Sequence, residues 1–560
     1  MRVAFLVGGD TPSTLRSIEA VCRLPNIEVV GILLDTGVTP RSARMANLRR
    51  NMTREGVGYL YRRAIGALRD WLDARAARLV PKRQIDDLLR RAFPEANLNL
   101  EDATARLGLQ LIRAGNLNQP AAVESLRSLN ADLGIVIGTR ILKPAIFSVP
   151  RQGCINLHKG AVPDYRGMPP GFWEIYDGAE TAGVTVHFVD AGLDTGDIVG
   201  TSEITIHPLE TPDTLRTKLD LEGARLLAET VAALAAGTCK RRLQPPSFTR
   251  PRRKPTHGQR VELAKRAPHL GIIETDEKRI FKTVFYLFLY RCGIFHLTRR
   301  LRRKGAIILY HRVNDFAGDN LTITTRALAE QILILRRYYS PATTTALVTD
   351  VRGHESVPRG SVAIHFDDCY RDVLLNGSRL LYAAGFPAAM FIATGFIDTD
   401  RVFEHDRAKY PFNFENLRRA EIPALIERGF EIGAHTVNHV DLGQIDPESV
   451  RFEVTESRRA LEEITGREIL FFSFPFGRNA NIREDSRRII EEAGFNALFS
   501  AHGGFVSAAS DPYDIPRIGI NSRYRALDLI MELEGLSLPR LFPRLKSALR
   551  SSPAADTTHI

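Results

Sequence analysis

The first half of the chain alternates short apolar runs with segments of helical periodicity. β-Branched apolar runs occupy residues 2–8, 28–34 and 131–137, and a helix-like stretch at Ser13–Cys22 separates the first two. Strands that alternate with helices predict a parallel α/β sheet, in which binding sites lie at the carboxyl ends of the strands. We therefore expect a Rossmann-like domain whose chemistry is carried by the loops after Ile137 and Ile155.

The second half repeats the alternation with different spacing. Its apolar runs are residues 306–313, 362–366, 388–394, 430–434 and 471–474, and helical segments such as Arg451–Ile464 fill the intervals. A regular succession of strands and helices of this kind predicts a distorted (β/α) barrel.

The length of 560 residues excludes a single hydrophobic core, because cores stop growing at roughly 250–300 residues. We expect a first domain at 1–245 with an Arg-rich helical insertion at about 41–96. A basic linker with a short amphipathic helix at 246–304 then leads to a second domain at 305–535 and a tail at 536–560.

The net charge of +11 favours a polyanionic partner, such as nucleic acid, anionic lipid or a phosphorylated substrate. Arginine concentrates in residues 41–91, where apolar residues recur at helical spacing. This pattern predicts one or two basic amphipathic helices, which either pack on their own domain or lie at a membrane surface. We expect no nucleic-acid partner, because no motif of aromatic and basic residues accompanies the charge.

No window reaches the about 20 apolar residues that a membrane-spanning helix needs. The apolar segment Val284–Tyr290 is broken by Arg291 and followed by a basic cluster, so it is either an interfacial helix or a buried one. The five cysteines are scattered and form no C-x-x-C pair, which favours a reducing compartment. The N-terminus lacks the apolar core of a signal peptide. We expect a cytoplasmic protein, with peripheral contact to the inner membrane face as an open alternative.

Asn156, His158 and Asp194 form the first set of residues with a coherent chemistry. Asn156 and His158 are two residues apart, so in an extended segment their side chains point to the same side. Transfer of an acyl group to an amine needs a donor to the developing oxyanion, a base for the amine proton and a group that orients the base. An amide, an imidazole and a carboxylate fulfil these three tasks.

The segments around these residues resemble the folate-dependent formyltransferase family. They read INLHKGAVPDYRG from residue 155, GVTVHFVDAGLDTGDIV from residue 183 and LETPDTLRTKL from residue 209. The resemblance implies that Asn156, His158 and Asp194 are catalytic and act with 10-formyltetrahydrofolate, without a metal. It also implies a pteridine-binding loop, which matches Gly138, Thr139, Arg140, Ile141 and Leu142.

Two departures from this family bear on the amine that is formylated. The Arg-rich segment lengthens the start of the domain, and the RNA-binding C-terminal domain of the tRNA formyltransferases has no visible counterpart. The resemblance therefore favours an amino sugar over a tRNA. The basic stretches would suit a nucleotide- or lipid-phosphate handle on that sugar.

Asp367, Asp368, His435 and His439 form the second set. The two aspartates follow an apolar run and so lie at the end of a strand. The two histidines are four residues apart and are expected on one face of a helical turn, a common spacing for metal ligands. A metal site with an open position next to a carboxylate base suits hydrolysis of an amide.

Three segments place this second set in a recognisable context. AIHFDDCYRDV from residue 363, EIGAHTVNHVDL from residue 431 and FFSFPFG from residue 471 resemble the polysaccharide deacetylase (NodB-like) family. The resemblance implies that Asp367 is the general base, that Asp368, His435 and His439 hold a divalent metal, usually zinc, and that Pro475–Gly477 lines the substrate groove.

Three departures from the deacetylase pattern concern catalysis. Cys369 stands where the family usually has Gly, and Ser473 stands where many members carry an Arg that orients the base. The late His that acts as general acid has no clear counterpart, and His311 and His502 are the candidate substitutes.

Together the two resemblances predict a bifunctional enzyme that formylates an amine and removes an N-acyl group from an amino sugar. In the alternatives, the second domain is a deformylase or a degenerate carbohydrate-binding module.

Overall fold

The structure is a computed structural model that describes residues 1–38, 41–95, 99–167, 169–207, 210–245, 250–266, 276–301, 304–316, 319–407 and 413–542. Most of the expected tail at 536–560 lies outside these residues. The chain divides into two compact units, Met1–Arg62 with Ala96–Ile273 and Arg63–Glu95 with Glu274–Ile560.

The first unit is built on a seven-stranded sheet with the order β3-β2-β1-β4-β5-β6-β7. Its strands are β1 (Arg2–Val7), β2 (Glu28–Asp35), β3 (Leu111–Ala114), β4 (Leu133–Ile137), β5 (Cys154–His158), β6 (Thr181–Phe188) and β7 (Ile198–Thr205). Strands β1 to β5 are parallel, and β6 and β7 join the edge antiparallel.

Helices flank both faces of this sheet. The helices of the first unit are α1 (Pro12–Cys22), α2 (Arg41–Glu55), α5 (Leu100–Leu107), α6 (Pro120–Ser128), α7 (Pro144–Phe147), α8 (Phe172–Asp177), α9 (Pro212–Ala235) and α10 (His257–Arg266). Helix α3 (Gly58–Ala76) passes from the first unit into the second, and α4 (Lys82–Ala92) belongs to the second. Helices α1 and α9 lie on one face of the sheet, and α6 and α7 lie on the other. Alternate residues of β1 enter two cores: Phe5 packs with residues of α1 and α9, and Leu6 packs with residues of α6 and α7. This architecture confirms the expected Rossmann-like domain.

The second unit contains a parallel sheet with the order β17-β16-β15-β14-β13-β12-β8-β18, and β11 also pairs with β12. The strands of this unit are β8 (Ala306–Tyr310), β9 (Arg312–Val313), β10 (Thr322–Ile323), β11 (Ser340–Pro341), β12 (Ser361–Phe366), β13 (Ala388–Ile392), β14 (Phe430–Ala434), β15 (Phe471–Ser473), β16 (Ala497–Ser500), β17 (Ile515–Pro516) and β18 (Ile518–Gly519).

The remaining helices surround this sheet. They are α11 (Asp276–Arg291), α12 (Ile294–Leu301), α13 (Thr325–Tyr338), α14 (Thr344–Arg352), α15 (Ser378–Ala384), α16 (Glu404–Arg407), α17 (Ile422–Glu427), α18 (Pro447–Thr465), α19 (Glu484–Glu492), α20 (Ala526–Leu533) and α21 (Leu538–Leu541).

The sheet of the second unit closes almost completely on itself. Strands β17 and β18 lie at its opposite edges, although a single residue, Arg517, separates them in sequence. β17 pairs with β16 and β18 pairs with β8, so Arg517 lies at the seam of a nearly closed parallel barrel. This confirms the predicted distorted (β/α) barrel.

The compact units do not follow the expected domain boundaries in the Arg-rich segment. Residues 41–62 belong to the first unit, but residues 63–95 pack with the second. The reason is α4, whose apolar side, including Ile85 and Leu88, is buried and which packs against α13 and α15. Arg326 pairs with Asp86 at 2.9 Å, and Arg379 donates to the Ala92 carbonyl at 2.9 Å.

The expected linker at 246–304 is also divided between the units. Residues 250–266 belong to the first unit, while α11 and α12 belong to the second. Among the described residues no single helix is long and apolar enough to cross a bilayer. The pair α11 and α12 would pass by length and composition together, but it is bent by 66°.

Candidate active sites

The predicted residues of the first site surround one cavity of about 420 Å³. Asn156 and His158 are on β5, and Asp194 is in the loop that follows β6. The other wall is the loop after β4, formed by Gly138, Thr139, Arg140, Ile141 and Leu142. The cavity thus lies at the carboxyl end of β4 and β5, as expected for a parallel sheet.

Asp194 contacts several polar groups of this cavity through both of its carboxylate oxygens. Its Oδ2 lies 3.6 Å from His158 Nδ1 and accepts a hydrogen bond from the Gly167 amide at 3.2 Å. Its Oδ1 accepts a hydrogen bond from Asn156 Nδ2 at 3.4 Å. Asp194 has a φ of 55°, which is unusual for a residue with a Cβ. The surrounding hydrogen bonds hold this strained backbone in place.

Burial and charge set the protonation of this site. Burial lowers the pKa of His158 below the usual 6.5, although the charge of Asp194 opposes this effect. Burial raises the pKa of Asp194, but its contacts with His187 and His158 outweigh this effect and leave the pKa below its usual value. At neutral pH the site therefore pairs a neutral imidazole with a carboxylate.

The second predicted set also converges. One ligand atom from each of Asp368, His435 and His439 lies within 4.8 Å of the others. Asp368 Oδ1 is 3.6 Å from His435 Nε2 and 3.1 Å from His439 Nε2. Asp368 Oδ2 is buried without a hydrogen-bond partner among the described residues. His435 Nδ1 lies 2.7 Å from the Ser473 carbonyl, and donation to it would leave the Nε2 lone pair facing the cluster. Two imidazoles and an orphaned carboxylate oxygen fit a divalent metal.

The expectation that His435 and His439 share a helical turn is wrong. Both lie in the loop after β14, and Thr436 and His439 have positive φ values of 64° and 54°. Glu453 fixes this loop by accepting hydrogen bonds from the Val437 and Asn438 amides, each at 2.8 Å. The loop reverses so that both rings meet Asp368, whose own φ is 78°. Strained backbone of this kind is typical of sites whose surroundings hold them in place.

Comparisons with known proteins match each half of the chain separately. The family model for formyl transferase matches residues 77–231, and the one for polysaccharide deacetylase matches residues 354–498. The chain carries a formyl transferase domain and a polysaccharide deacetylase domain.

Curated relatives that are similar to part of this chain include methionyl-tRNA formyltransferases. Methionyl-tRNA formyltransferase of Agathobacter rectalis is 39% identical over 134 residues, which are 24% of this chain and 43% of that protein. The enzyme of the same name from Geobacter metallireducens is 36% identical over 143 residues, 25% of this chain and 46% of the relative. The chain therefore spans less than half the length of these relatives.

Solved structures match both domains at low identity. The Streptococcus pyogenes deacetylase PplD, in complex with acetate, aligns with 41% of this chain and 98% of its own at 20% identity and a TM-score of 0.36. Phosphoribosylglycinamide formyltransferase of Bacillus halodurans aligns with 42% of this chain and 95% of its own at 19% identity and a TM-score of 0.28.

In the deacetylase domain, Arg517 binds the predicted base. Arg517 is fully buried, and its Nη1 and Nη2 donate to Oδ1 and Oδ2 of Asp367, both at 2.7 Å. Ser473 Oγ donates to Asp367 Oδ2 at 3.0 Å and accepts from Arg517 Nη2 at 2.7 Å. Burial raises the pKa of Asp367, but Arg517 and His435 outweigh this effect, so the pKa lies below its usual value. A guanidinium thus meets the carboxylate even though position 473 holds a serine.

Three histidines of the deacetylase domain remain candidates for the acid. His311 is half-buried. Desolvation lowers its pKa below the usual value, although the charges of Asp368 and Asp367 oppose this effect. His502 Nε2 is 2.9 Å from Asp514 Oδ1 and is partly exposed. His405, which the sequence pattern did not single out, packs edge-on against the ring of His439 at 5.8 Å.

Two other residues of the deacetylase motifs have defined places. The ring of Phe476 lies 5.1 Å from the ring of His439, beside the Asp368–His435–His439 cluster. Cys369 is buried, and burial raises the pKa of its thiol to about 12. A raised pKa favours the protonated thiol at neutral pH.

The formyl transferase domain contains a further wall that the sequence pattern classified as linker. We call residues 250–256 the strap. The Arg252 amide donates to the Arg166 carbonyl at 2.7 Å, and Trp173 Nε1 donates to the Arg253 carbonyl at 2.9 Å. A Cβ at Gly167, which has a φ of 95°, would lie 2.2 Å from the Arg252 carbonyl oxygen. The strap therefore packs closely over the loop after β5, whose Gly167 amide donates to Asp194.

His187 is another residue of this domain that the motif reading left without a role. It faces Asn156 in the antiparallel register of β5 and β6, and Asn156 Nδ2 is 3.2 Å from its Nε2. Its Nε2 is also 3.6 Å from Asp194 Oδ1, and its Nδ1 is 2.8 Å from the Phe188 carbonyl. His187 therefore contacts both Asn156 and Asp194.

Proposed function

We propose that this chain is a bifunctional enzyme of amino-sugar modification. Its first domain transfers a formyl group from 10-formyltetrahydrofolate to an amine, and its second removes an N-acyl group, in the first instance acetyl, with a divalent metal such as zinc. The observation that carries this proposal is that each domain gathers its separately predicted residues around one point. These are Asn156, His158 and Asp194 in one domain, and Asp367, Asp368, His435 and His439 in the other.

For formyl transfer, the geometry supports a division of tasks within the trio. Neutral His158 is able to accept the proton of the attacking amine, and Asp194 at 3.6 Å stabilises the imidazolium that results. The Asn156 amide, whose Nδ2 lies 3.4 Å from Asp194 Oδ1 and 3.2 Å from His187 Nε2, would turn one of its hydrogens from these partners toward the oxyanion that develops on the formyl carbon.

For hydrolysis, the chain supplies the ligands and the base. Asp368, His435 and His439 would hold the metal, which when bound polarises the acyl carbonyl and activates water. Asp367 lies with its Oδ2 4.0 Å from His435 Nε2, beside the ligands, and accepts the proton of the attacking water. The bidentate hydrogen bonds from Arg517 keep this carboxylate ionised and fixed in direction.

Arg252 supports an anionic handle on the amino sugar, such as the phosphate of a nucleotide or lipid carrier. The residue lines the cavity that contains His158 and Asp194. Its Nη2 pairs with Asp177, but its Nε is buried without a hydrogen-bond partner among the described residues. An oxygen of a substrate phosphate would supply a partner for Nε.

If both domains act on one molecule, the net result is replacement of N-acetyl by N-formyl. Purified protein incubated with 10-formyltetrahydrofolate, metal and nucleotide-linked N-acetyl amino sugars should yield the N-formyl sugar in mass spectrometry. His158→Ala should stop at the free amine, and Asp368→Ala should leave the N-acetyl sugar unchanged. Formyl product that persists in the His158→Ala variant would refute the assignment.

The handle has its own test with a matched control. Arg252→Gln should raise KM for a phosphate-bearing amino sugar at least tenfold but leave KM for the free amino sugar unchanged. Arg250, an exposed residue of the same strap, provides the control, because Arg250→Gln should change neither value.

Two alternatives concern the second domain. A deformylase would release formate from an N-formyl sugar faster than acetate from its N-acetyl counterpart, which a direct comparison of the two substrates measures. A degenerate carbohydrate-binding module would hydrolyse neither. The complete metal cluster and the Asp367–Arg517 pair favour hydrolysis over binding alone. We also propose a reducing compartment such as the cytoplasm, because none of the five cysteines forms a disulfide.

A further inference from the structure

We propose that α11 and α12 form a docking surface for an anionic lipid bilayer, on which the protein binds without crossing it. Five large apolar side chains of these two helices are exposed; we call them the apolar face. They are Phe281 (63% exposed), Val284 (48%), Phe288 (58%), Leu297 (56%) and Leu301 (68%). This inference does not depend on the chemistry of either domain.

The orientation of the apolar face is set by contacts on the opposite side of the helices. Thr283, Tyr286 and Leu289 of α11 and Phe295 of α12 are buried. Tyr286 Oη accepts a hydrogen bond from the Leu538 amide at 3.0 Å, and the hydroxyls of Tyr290 and Tyr338 are 2.8 Å apart. Since this side is already packed against its own unit, rotation of α11 that would hide Phe281 and Phe288 would expose a packed core instead.

The positive charges beside the apolar face favour an anionic lipid surface over a neutral one. Lys278, Arg291, Arg300 and Lys304 are exposed on or next to α11 and α12, whereas Glu277 is the exposed acidic residue among the described residues from 277 to 304. Cationic side chains that flank exposed phenylalanines suit the headgroup region of an anionic leaflet, where the rings enter the acyl boundary. A neutral apolar partner would not be attracted by the exposed charges of Arg291, Arg300 and Lys304.

The length of the helices favours a position in the plane of the membrane. α11 has 16 residues and α12 has 8, so neither reaches the about 20 residues needed to span a bilayer. The bend of 66° between them also breaks a straight span. An apolar face along two short helices that meet at an angle matches an interfacial anchor rather than a crossing segment.

Cys292 provides a probe within this surface. It is exposed at the end of α11, whereas Cys154 and Cys369 are buried. In the full-length Cys22→Ser/Cys239→Ser variant, Cys292 can carry an environment-sensitive fluorophore. We expect rapid labelling, then a blue shift on addition of vesicles that contain phosphatidylglycerol, and a much smaller shift with pure phosphatidylcholine. Slow labelling of the folded protein would mean that the chain itself covers this face and would overturn the proposal.

Substitutions on the apolar face complete the test. Phe281→Asp/Phe288→Asp should reduce the partition coefficient on phosphatidylglycerol vesicles at least tenfold in co-sedimentation, with unchanged thermal unfolding. Tyr382→Asp, a substitution at an equally exposed aromatic residue on α15, is the matched control and should bind like the wild type. Arg291→Glu/Arg300→Glu should weaken binding most at low salt.

Two results would refute the proposal. In one, the wild type fails to sediment with anionic vesicles. In the other, Phe281→Asp/Phe288→Asp lowers the oligomeric mass in light scattering but leaves vesicle binding unchanged, which would make the face a contact between copies of the chain.

Discussion

Replacement of Arg517 by Ser should inactivate the deacetylase domain, and a second substitution, Ser473→Arg, should restore part of its activity. Arg517 is the fully buried partner of Asp367, and Ser473 Oγ lies 2.7 Å from Arg517 Nη2. An arginine side chain at position 473 would therefore extend from β15 into the space that the Arg517 guanidinium occupies in the wild type. The double variant moves the guanidinium from the seam of the barrel to β15 while it keeps the same carboxylate as partner.

The magnitude follows from the burial of the pair. Loss of one partner of a buried, hydrogen-bonded ion pair costs about 3–5 kcal/mol, because an uncompensated charge stays behind. If the whole cost lowers the free energy of unfolding, the midpoint temperature of thermal unfolding of the deacetylase domain should fall by roughly 6–20 °C. If it appears in the reaction, kcat/KM should fall by about 100-fold or more, since 1.36 kcal/mol corresponds to a factor of ten.

The assay measures acetate release from an N-acetyl amino sugar, together with thermal unfolding and metal content. Arg517→Ser should lose activity but keep its metal, because the ligands Asp368, His435 and His439 are not changed. Arg517→Ser/Ser473→Arg should recover at least tenfold. Asp367→Asn/Arg517→Met should be more stable than Arg517→Met alone, because it removes the unpaired carboxylate.

Arg312 provides the matched control. It is equally buried and pairs with Asp319 and Asp406. Arg312→Ser should also lose stability, but Ser473→Arg should not rescue it. The reasoning is refuted if Arg517→Ser keeps its activity within twofold, or if Ser473→Arg raises the activity of both arginine variants alike.

Three further predictions follow from burial and charge. Burial lowers the pKa of His158, so the rate of formyl transfer should fall with acid only below pH 6.5 in a pH–rate profile. Asp194→Asn should shift this fall to still lower pH, because the charge of Asp194 raises the pKa of His158. A fall that begins above pH 6.5 would contradict the assignment of His158 as the base. Asp368→Ala and His439→Ala should lose metal in elemental analysis after dialysis, whereas Asp367→Ala should retain it. Burial raises the pKa of Glu174 from 4.5 to about 7, so its ionisation destabilises the fold increasingly as pH rises from about 4.5 to 7. Glu174→Gln should therefore gain up to about 3 kcal/mol relative to wild type at pH 8 but little at pH 4, and an equal difference at both would refute the explanation.

The parts of the fold that depend on local pattern could be predicted from the sequence. Strands β1, β4, β8 and β12 coincide with apolar runs, because a strand covered on both faces needs apolar side chains at every position. Asn156 and His158 share one side of β5 because their spacing matches the two-residue period of a strand. Asp367 and Asp368 follow the end of β12, and that end is also visible in the sequence.

Other local expectations failed where the backbone departs from regular structure. The spacing of His435 and His439 suggested a helical turn, but positive φ values at Thr436 and His439 produce a loop instead. Position 250–256 looked like a linker because it is rich in proline and basic residues, yet it packs over Gly167 in the formyl transferase site. The composition of a segment indicates its local conformational preference, but it does not indicate which part of the folded chain the segment packs against.

The two sets of candidate catalytic residues and their order along the chain were thus visible in the sequence alone. Tertiary structure decided which residues complete them. His187 reaches Asn156 across an antiparallel strand pair, Arg252 reaches the first cavity through the strap, and Arg517 meets Asp367 across 150 residues of sequence where the barrel closes. Such contacts depend on strand order and closure, which spacing along the chain does not encode. For Arg517 the visible signal was an arginine between the apolar residues Ile515 and Ile518, because a buried charge requires a partner that only the folded chain can bring.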